Sequence, residues 1–334
     1  MFKLRQVLPC CVLMALTTFV HPAVSQNYEY NPNELRGQVN RGTVMIQGAK
    51  QDSAFTRLAN DIATVVDSDD IRVLPLLGKG SFQNIMDLMF LNGVDASFTQ
   101  SDTLDLYQQL EILPHLGRDL RYIMRTSDEE FHLLASSSIK SIQDLEGKKV
   151  NFGRNGTGTF TTSSVVFDRL GISVEATTFP HKQALALLKQ GEIDAMAKVD
   201  GKPVGVIAEA NLDDGLRLIG VPVDQLDDTY VAATLNADDY PTLFARGDEV
   251  TTIAVPSLLA VYNFPPDNPR SAKVDKFIRA LFANFDDLKS EETGGDAKWQ
   301  EIDLSREVPG WTRHPTAEAL LKPGAQAALP QQRQ

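Results

Sequence analysis

The segment from residue 151 to residue 160, NFGRNGTGTF, combines residue types that bind anions through the backbone. Its three glycines permit positive φ angles and let a ligand approach the main chain closely; they are Gly153, Gly156 and Gly158. Thr157 or Thr159 can cap a following helix, whose free N–H groups attract negative charge. A phosphate-binding P-loop needs a Lys after its last glycine, and here a threonine follows. The segment therefore predicts an anion cradle rather than a nucleotide site.

Polar residues also follow several other apolar segments of the chain. They are Gln47, Lys50 and Gln51, then Gly80 and Ser81, then Gln100 and Ser101, and finally Asp200 and Lys202. Ligands of open α/β sheets bind at the carboxyl ends of the strands, which is where these turns are expected. Neutral donors with one or two cations suit a small anion or a zwitterion. In this prediction Lys50 pairs with the anion and Asp200 accepts an amino group.

The sequence contains no recognisable catalytic or metal-binding pattern. Gly-x-Ser-x-Gly and His-Glu-x-x-His are absent, and the histidines after residue 26 are too scattered for a metal site. Residues 137–140 fit Ser-x-x-Lys without the partner motifs of penicillin-recognising enzymes. The acidic residues 67–70 lack the glycine and glutamate of a calcium loop. We therefore expect no enzymatic activity, no metal and no cofactor.

Composition limits the possible partners. The chain has 334 residues, 43% of them hydrophobic, and a net charge of −12. About 300 residues at this hydrophobic content can bury a full core and suggest about two lobes. Because nucleic acids and anionic membranes attract Lys/Arg clusters, the acidic balance argues against both. We expect a monomer whose partners are a small ligand and other proteins.

The first 26 residues have the pattern of a secretory signal peptide. Lys3 and Arg5 precede an apolar run, and small residues at 22–25 suit signal peptidase. Both cysteines, Cys10 and Cys11, lie in this segment, so the processed chain has no thiol or disulfide. No later run reaches the roughly 18 apolar residues that span a bilayer. The sequence therefore predicts an exported protein without membrane insertion.

Strand and helix patterns alternate along the rest of the chain. Short apolar runs at 43–47, 71–75, 94–99, 193–199 and 217–221 are typical of buried strands, and helical periodicity lies between most of them. This alternation predicts an α/β fold whose lobes each contain a mainly parallel sheet flanked by helices. A repeated glycine–acid motif indicates that the two lobes have the same local arrangement, because Gly93 and Gly191 each follow a helix and precede an acidic residue and a strand.

Two segments, near residues 126–131 and 250–262, are expected to connect the lobes as a two-segment hinge; the first is polar and lies between two apolar runs, and the second is a long apolar stretch. The predicted organisation is a signal peptide (1–26), an N-terminal arm (27–42), the first part of lobe 1 (43–128), lobe 2 (129–252), a return into lobe 1 with C-terminal helices (253–312) and a disordered tail (313–334).

The order of these segments resembles the TAXI family of periplasmic solute receptors, which serve tripartite (TRAP) transporters. The resemblance covers residues 43–311. The motifs that carry it are Gly80-Ser81 with Asn84, Gly93 to Ala96 leading to Gln100-Ser101-Asp102, residues 139–153, residues 156–159, residues 191–195 and residues 255–259. It implies a two-lobed type II periplasmic binding protein fold. It also places the polar residues named above, with Gly153, Thr157, Gly158 and Thr159 on the facing lobe, around one ligand cleft.

The chain departs from the family pattern at two turns. The first-strand turn, residues 47–55, lacks the usual glycines and aromatic residues, and residues 198–203 are more charged than the apolar, proline-containing segment of the family. The resemblance implies a periplasmic receptor that closes on an amino acid or carboxylate and delivers it to a TRAP-type transporter. Two alternatives stay open: a ligand-sensing protein that signals to a membrane receptor, and an exported enzyme on the same fold.

Overall fold

The computed structural model describes residues 31–51, 53–68, 70–290 and 294–323. The predicted signal peptide and residues 324–334 of the predicted tail lie outside this part of the chain. Among the residues described, no helix is long and apolar enough to cross a membrane.

The strands of the described chain form one mixed ten-stranded sheet. They are β1 (Thr43–Gln47), β2 (Arg72–Leu76), β3 (Ala96–Gln100), β4 (Leu120–Ser136), β5 (Lys149–Asn151), β6 (Glu175–Thr177), β7 (Ala195–Asp200), β8 (Leu216–Ile219), β9 (Val231–Asn236) and β10 (Glu249–Tyr262). The sheet order is β2-β1-β3-β10-β4-β7-β5-β6, with β8 paired to β4 and β9 to β10.

Helices cover both faces of this sheet. They are α1 (Pro32–Gly42), α2 (Ala54–Val66), α3 (Ser81–Phe90), α4 (Thr103–Gln109), α5 (Leu116–Asp119), α6 (Gly158–Arg169), α7 (His181–Lys189), α8 (Gly205–Ala208), α9 (Pro269–Ala283), α10 (Phe285–Lys289) and α11 (Pro315–Leu320). Most follow a strand directly, as the alternating sequence pattern predicts.

The two ends of the sheet have the same local plan. Strand β1 pairs in parallel with β2 and β3, and β5 pairs in parallel with β6 and β7. We call the β1–β3 end, with α2, α3, α4 and α9, lobe 1, and the β5–β7 end, with α6, α7 and the flanking strands β8 and β9, lobe 2. The predicted α/β class with a mainly parallel sheet in each lobe is confirmed.

The repeated glycine–acid motif has a structural basis. Gly93 and Gly191 both have positive φ, +100° and +74°, at the ends of their helices. The aspartates that follow two and three residues later make matching bonds to the neighbouring strand: Asp95 accepts from the Met45 backbone N–H at 3.0 Å, and Asp194 accepts from that of Lys149 at 2.9 Å. Each carboxylate therefore fixes the register of one strand in its lobe.

Two long antiparallel strands, β4 and β10, connect the lobes. The polar residues 126–130 lie between two apolar runs in the sequence, but the structure continues β4 through them as one strand of 17 residues. Strand β10 shifts register against β4 around Pro256, because proline has no N–H to donate to the ladder. Polar side chains are tolerated mid-strand here because this stretch of β4 passes beneath the gap between the lobes.

Four apolar clusters of the described residues pack around the sheet. In lobe 1 one cluster lies under α2 and α9 and includes Trp299, and another includes Tyr107. In lobe 2 one cluster lies under α6 and another under α7 and includes Tyr240. The cluster under α6 also includes Leu106 of α4, so apolar packing there extends across the boundary between the lobes.

Both chain ends of the described region are more ordered than the sequence predicts. Residues 32–42 of the predicted arm form α1, which begins at a proline after an Asn31 cap, so helix capping replaces the missing apolar periodicity. Residues 313–320 of the predicted tail also have regular structure. Arg313 is buried, forms a bridge to Tyr122 and donates to three backbone carbonyls, and α11 follows it. The prediction of disorder from residue 313 onward is therefore wrong for residues 313–320.

Candidate functional site

A cavity of about 400 Å³ opens between the lobes at the carboxyl ends of their parallel strands. From lobe 1 its lining includes Lys50, Ser53, Phe55, Lys79, Ser81 and Gln100, and from lobe 2 it includes Thr157, Gly158, His181, Lys182, Lys198 and Asp200. Glu129 of β4 contributes a carboxyl group to the same lining. The size and position suit a small-molecule site.

The buried amide of Asn84 fixes the turns of lobe 1 around the cavity. Its Nδ2 donates to the carbonyls of Gly48, at 2.7 Å, and Phe98, at 2.8 Å, while its Oδ1 accepts from the Gly80 N–H at 3.2 Å. One side chain therefore holds the turn after β1, the turn before α3 and strand β3 together. This is the physical role of the asparagine that accompanies Gly80-Ser81 in the sequence motif.

Lobe 2 presents the N-terminus of the 12-residue helix α6 to the cavity. Thr157 is its N-cap and accepts from the Phe160 N–H through its hydroxyl at 3.4 Å. The first N–H groups of a helix have no carbonyl partner within it, so they favour an anion here. Of the two threonines that the sequence offers as caps, the bond to Phe160 identifies Thr157 as the cap. The Thr159 hydroxyl instead accepts from the Val199 N–H at 3.1 Å and joins α6 to β7.

Backbone from both lobes meets at the floor of the cavity. Gly80 has φ +127°, and a Cβ there would lie 3.1 Å from the Thr157 Cα and 3.2 Å from the Gly158 N. A Cβ at Gly158 would lie 2.1–2.9 Å from the amide atoms of Gln100. The Gln83 N–H also donates to the Gly156 carbonyl at 3.3 Å across the lobes. Glycine at these positions is what permits the lobes to touch.

The Gln100 side chain is buried in a chain of hydrogen bonds. Its Oε1 accepts from the Ser81 hydroxyl at 2.9 Å, and its Nε2 donates to Glu129 Oε2 at 2.9 Å. Burial and then the charge of Asp200 raise the pKa of the Glu129 carboxyl to about 8. Gln100 therefore connects lobe 1 to the crossing strand and holds both Ser81 and Glu129 in place.

Basic side chains dominate the charged lining. Lys198 pairs with Asp200 at 2.7 Å, and this ion pair outweighs the burial that opposes ionisation, so the pKa of Asp200 is lowered. Partial burial, followed by the charges of Lys198 and Arg154, lowers the pKa of Lys50. Within the described chain, no carboxylate lies within ion-pair distance of Lys50, Lys79 or Lys182. The cavity thus has an excess of positive charge that an anionic ligand can neutralise.

His181 lines the cavity as a neutral ring. Burial, then the charges of Lys198 and Lys50, lowers its pKa to about 3. Its Nε2 is buried without a hydrogen-bond partner in the described structure, against Gly153. A histidine that stays neutral above pH 4 adds shape rather than charge to the site. The described chain also brings together no cluster of three His, Cys, Asp or Glu side chains that could hold a metal ion.

A second contact between the lobes lies behind the cavity. Asp102, fully buried at the end of β3, accepts from the Tyr230 hydroxyl of lobe 2 at 3.1 Å, and its Oδ1 has no partner that meets hydrogen-bond geometry. Burial raises the pKa of Asp102 to about 7, against the hydrogen bonds of Thr162 and Tyr230. Nearby, Arg169 of α6 pairs with Asp105 of α4 at 2.9 Å. These contacts bury ionisable groups that would be hydrated if the lobes separated.

Eight of the sequence-predicted site residues line the cavity; they are Lys50, Gly80, Ser81, Gln100, Thr157, Gly158, Thr159 and Asp200. Their contact with a ligand stays a prediction. Asp200 is paired with Lys198, and its predicted role as acceptor of an amino group likewise stays a prediction.

The other five predicted residues lie outside the lining, and each has a physical reason. Gln47 bonds to Asp87 and Ser97, and Lys202 bonds to Asp239 and the Thr234 carbonyl, so both are engaged elsewhere. Ser101 is buried against the Thr229 carbonyl. Gly153 lies behind the His181 ring. Gln51 follows the lining residue Lys50 in sequence and is exposed to solvent.

Sequence reasoning missed several lining residues, chiefly Lys79, Glu129, His181, Lys182 and Lys198. Lys198 could have been found, because it lies two residues before Asp200 on a strand and therefore on the same face. Lys79 directly precedes Gly80 and Ser81, which the sequence assigns to the site, so it could have been included with them. Glu129 and Lys182 carry no such signal, since one lies in a strand that reads as a polar break and the other in a helix without a motif.

The fold and the cleft define a two-lobed α/β protein with a cation-lined cavity between its lobes. Residues 57–322 match the model of the NMT1-like family. Because this match spans most of the 334 residues, the chain belongs to the NMT1-like family. The narrower TAXI resemblance stays a prediction.

Several solved structures are similar to this chain at low identity. The periplasmic aliphatic sulphonate binding protein SsuA from Escherichia coli is 18% identical, with a TM-score of 0.45 over 78% of this chain and 74% of that one. The alkanesulfonate-binding protein SsuA from Xanthomonas axonopodis pv. citri, bound to MOPS, is 15% identical (TM-score 0.43; 86% and 84%). An ABC transporter periplasmic binding protein from Brucella ovis with glutathione bound is 14% identical (TM-score 0.43; 80% and 84%). Identities this low leave the ligand of this chain to be inferred from its own residues.

Proposed function

We propose that this protein is a periplasmic solute receptor that captures a small anionic or zwitterionic metabolite between its lobes and delivers it to a membrane transporter. The observation that carries the proposal is the cavity itself, whose lining combines the N-terminus of α6 with lysines of both lobes that have no ion-pair partner among the residues the structure describes. Such a ligand bridges the lobes, so it binds the closed arrangement better than an open one and shifts the population toward closure.

The delivery partner is proposed to be a TRAP-type transporter of the TAXI class. This part of the proposal is supported by the sequence resemblance over residues 43–311, whereas two similar solved structures are named for ABC transporters. The predicted leader at residues 1–26 supports export. Reconstitution with candidate transporter subunits of each type would separate the two kinds of partner, because only the correct one should take up ligand in the presence of the receptor.

Thermal unfolding tests ligand capture directly. The protein is unfolded and refolded to remove bound ligand, then heated with amino acids, mono- and dicarboxylates, sulfonates and phosphate. A ligand at a hundred times its Kd adds about 2.7 kcal/mol, which should raise the Tm by on the order of 1–3 °C for a chain of this size.

The matched variant is the double substitution Lys50→Gln/Lys182→Gln. It removes two charges from the lining, so the Tm increase given by the best compound should shrink. Lys148→Gln is the control, because Lys148 is exposed at the opposite, amino end of β5. No increase with any compound would argue against solute capture, and an equal increase in the double variant would place the ligand elsewhere.

A further inference from the structure

We infer that the cleft selects ligands with two or more anionic groups and no ammonium group, so that polycarboxylates and similar polyanions are preferred over amino acids. The inference rests on the proposed receptor function and narrows its ligand class. Three features of the cavity carry it: cations on both lobes, a helix N-terminus, and carboxyl groups that are already engaged.

The cations of the lining come from both lobes. Lys50 and Lys79 belong to turns of lobe 1, whereas Lys182 belongs to α7 of lobe 2. None of the three has a carboxylate partner among the described residues. A ligand between the lobes therefore meets three positive charges that no described carboxylate pairs with, and a single anionic group would neutralise only part of this excess.

The N-terminus of α6 adds to the lobe 2 wall. Its N–H groups at Gly158 and Thr159 belong to the first helical turn and point away from the helix body. Together with Lys182 they make a site that favours a negatively charged group on this side.

The acidic residues of the lining are already engaged within the protein. Asp200 Oδ2 is paired with Lys198 at 2.7 Å, and Oδ1 accepts from the Gly201 N–H at 3.1 Å. Glu129 is only 7% exposed and is bonded to the Gln100 amide. Its raised pKa keeps this carboxyl largely protonated at pH 7. An amino acid would place its ammonium group in a lining where, among the described residues, four lysines face the single ionised carboxylate of Asp200, so repulsion outweighs attraction.

The experiment is a titration with pairs of compounds that differ in one charged group. Glutarate and glutamate share a five-carbon dicarboxylate skeleton and differ by the ammonium group, and glutamine has one carboxylate fewer than glutamate. Succinate with aspartate repeats the comparison at four carbons, and citrate adds a third carboxylate. Isothermal titration on the refolded protein should give a Kd for the best polycarboxylate at least about tenfold lower than for its amino-acid partner.

A charge variant gives an independent readout. Lys182→Gln should weaken the best polycarboxylate about tenfold, since one charge-assisted contact is lost, and should change a monocarboxylate such as butyrate by less than about twofold. Lys148→Gln should change neither.

The outcomes separate the two proposals. Tighter binding of glutamate than glutarate, or of aspartate than succinate, overturns the ligand-class inference and leaves the receptor function standing. If neither these compounds nor the wider set used in thermal unfolding bind, both proposals fail.

Discussion

Replacing Gly158 with alanine should weaken ligand binding about 5-fold to 150-fold without unfolding the protein. A Cβ at this position would lie 2.1 Å from Gln100 Oε1 and under 3.0 Å from the other two amide atoms. The Gln100 side chain cannot move away freely, because it is buried and held by Ser81 and Glu129. Overpacking such a site costs about 1–3 kcal/mol, and each 1.4 kcal/mol changes an affinity about tenfold.

The cost falls on the closed arrangement alone, because Gly158 and Gln100 belong to different lobes. The Gly158→Ala protein should therefore keep its unfolding temperature without ligand while its Kd rises. Gly205→Ala is the matched control in lobe 2, since a Cβ there meets no atom within 4 Å. Unchanged affinity in Gly158→Ala would show that this lobe contact is not formed in the ligand-bound protein.

Ligand affinity should also fall as pH rises from about 4 to 7, by up to about tenfold per pH unit, with Asp102 as the cause. Burial between the lobes raises the pKa of Asp102 to about 7 from the ordinary value of 3.8. Closure therefore takes up a proton between these values. The raised pKa of Asp102 therefore stabilises the closed form fully below pH 4, and this stabilisation is lost as pH rises through 7. Above pH 7 the ligand affinity no longer depends on Asp102.

The groups that face Asp102 define what else could titrate. Tyr230 and Thr162 contact it from lobe 2, and the charges of Asp105 and Arg169 lie nearby. The pKa of Tyr230 is raised well above 10, and burial also raises that of Asp105, which pairs with Arg169. His132 and His181, with pKa values of about 4 and 3, stay neutral above pH 5. Glu129, which lines the cavity itself and has a pKa of about 8, also titrates near neutrality.

Asp102→Asn separates these contributions, because the amide keeps the shape and the bond to Tyr230 without the titration. Between pH 5 and 7 its affinity should vary much less than that of the wild type, and titration calorimetry in buffers of different ionisation enthalpy should no longer detect uptake of about one proton. Glu129→Gln should leave the pH 5–7 dependence in place. If Asp102→Asn keeps the wild-type profile, the proton is taken up elsewhere.

The regular elements of both lobes could be predicted because their signals are local. The run at residues 43–47 matches β1, and Ser53, which directly precedes an apolar helical pattern, caps α2. Gly93 and Gly191 likewise have the positive φ that their positions require. These features depend on neighbouring residues, which the sequence displays directly.

The site was harder to predict because its side chains come from elements far apart in the chain. Which of two polar neighbours faces the cavity depends on strand register and on competing partners. The Gln47 side chain is bonded to Asp87 and the Lys202 side chain to Asp239, so neither points into the cavity, and neither partner is near in sequence. The continuity of β4 through residues 126–130 was equally hidden, since a strand that crosses beneath a cleft carries polar residues where a core strand would not.

The most direct test of the account is the distance between the lobes with and without ligand. The described chain has no cysteine, so single cysteines at the exposed rim residues Gln51 of lobe 1 and Asn155 of lobe 2 would carry spin labels for pulsed electron paramagnetic resonance. The compound used is the one that raises the Tm most. We predict a broad distance distribution in the stripped protein and a shorter, narrower one when the compound saturates it. An identical distribution in both states, with binding verified in the labelled protein, would contradict closure of the lobes around the ligand.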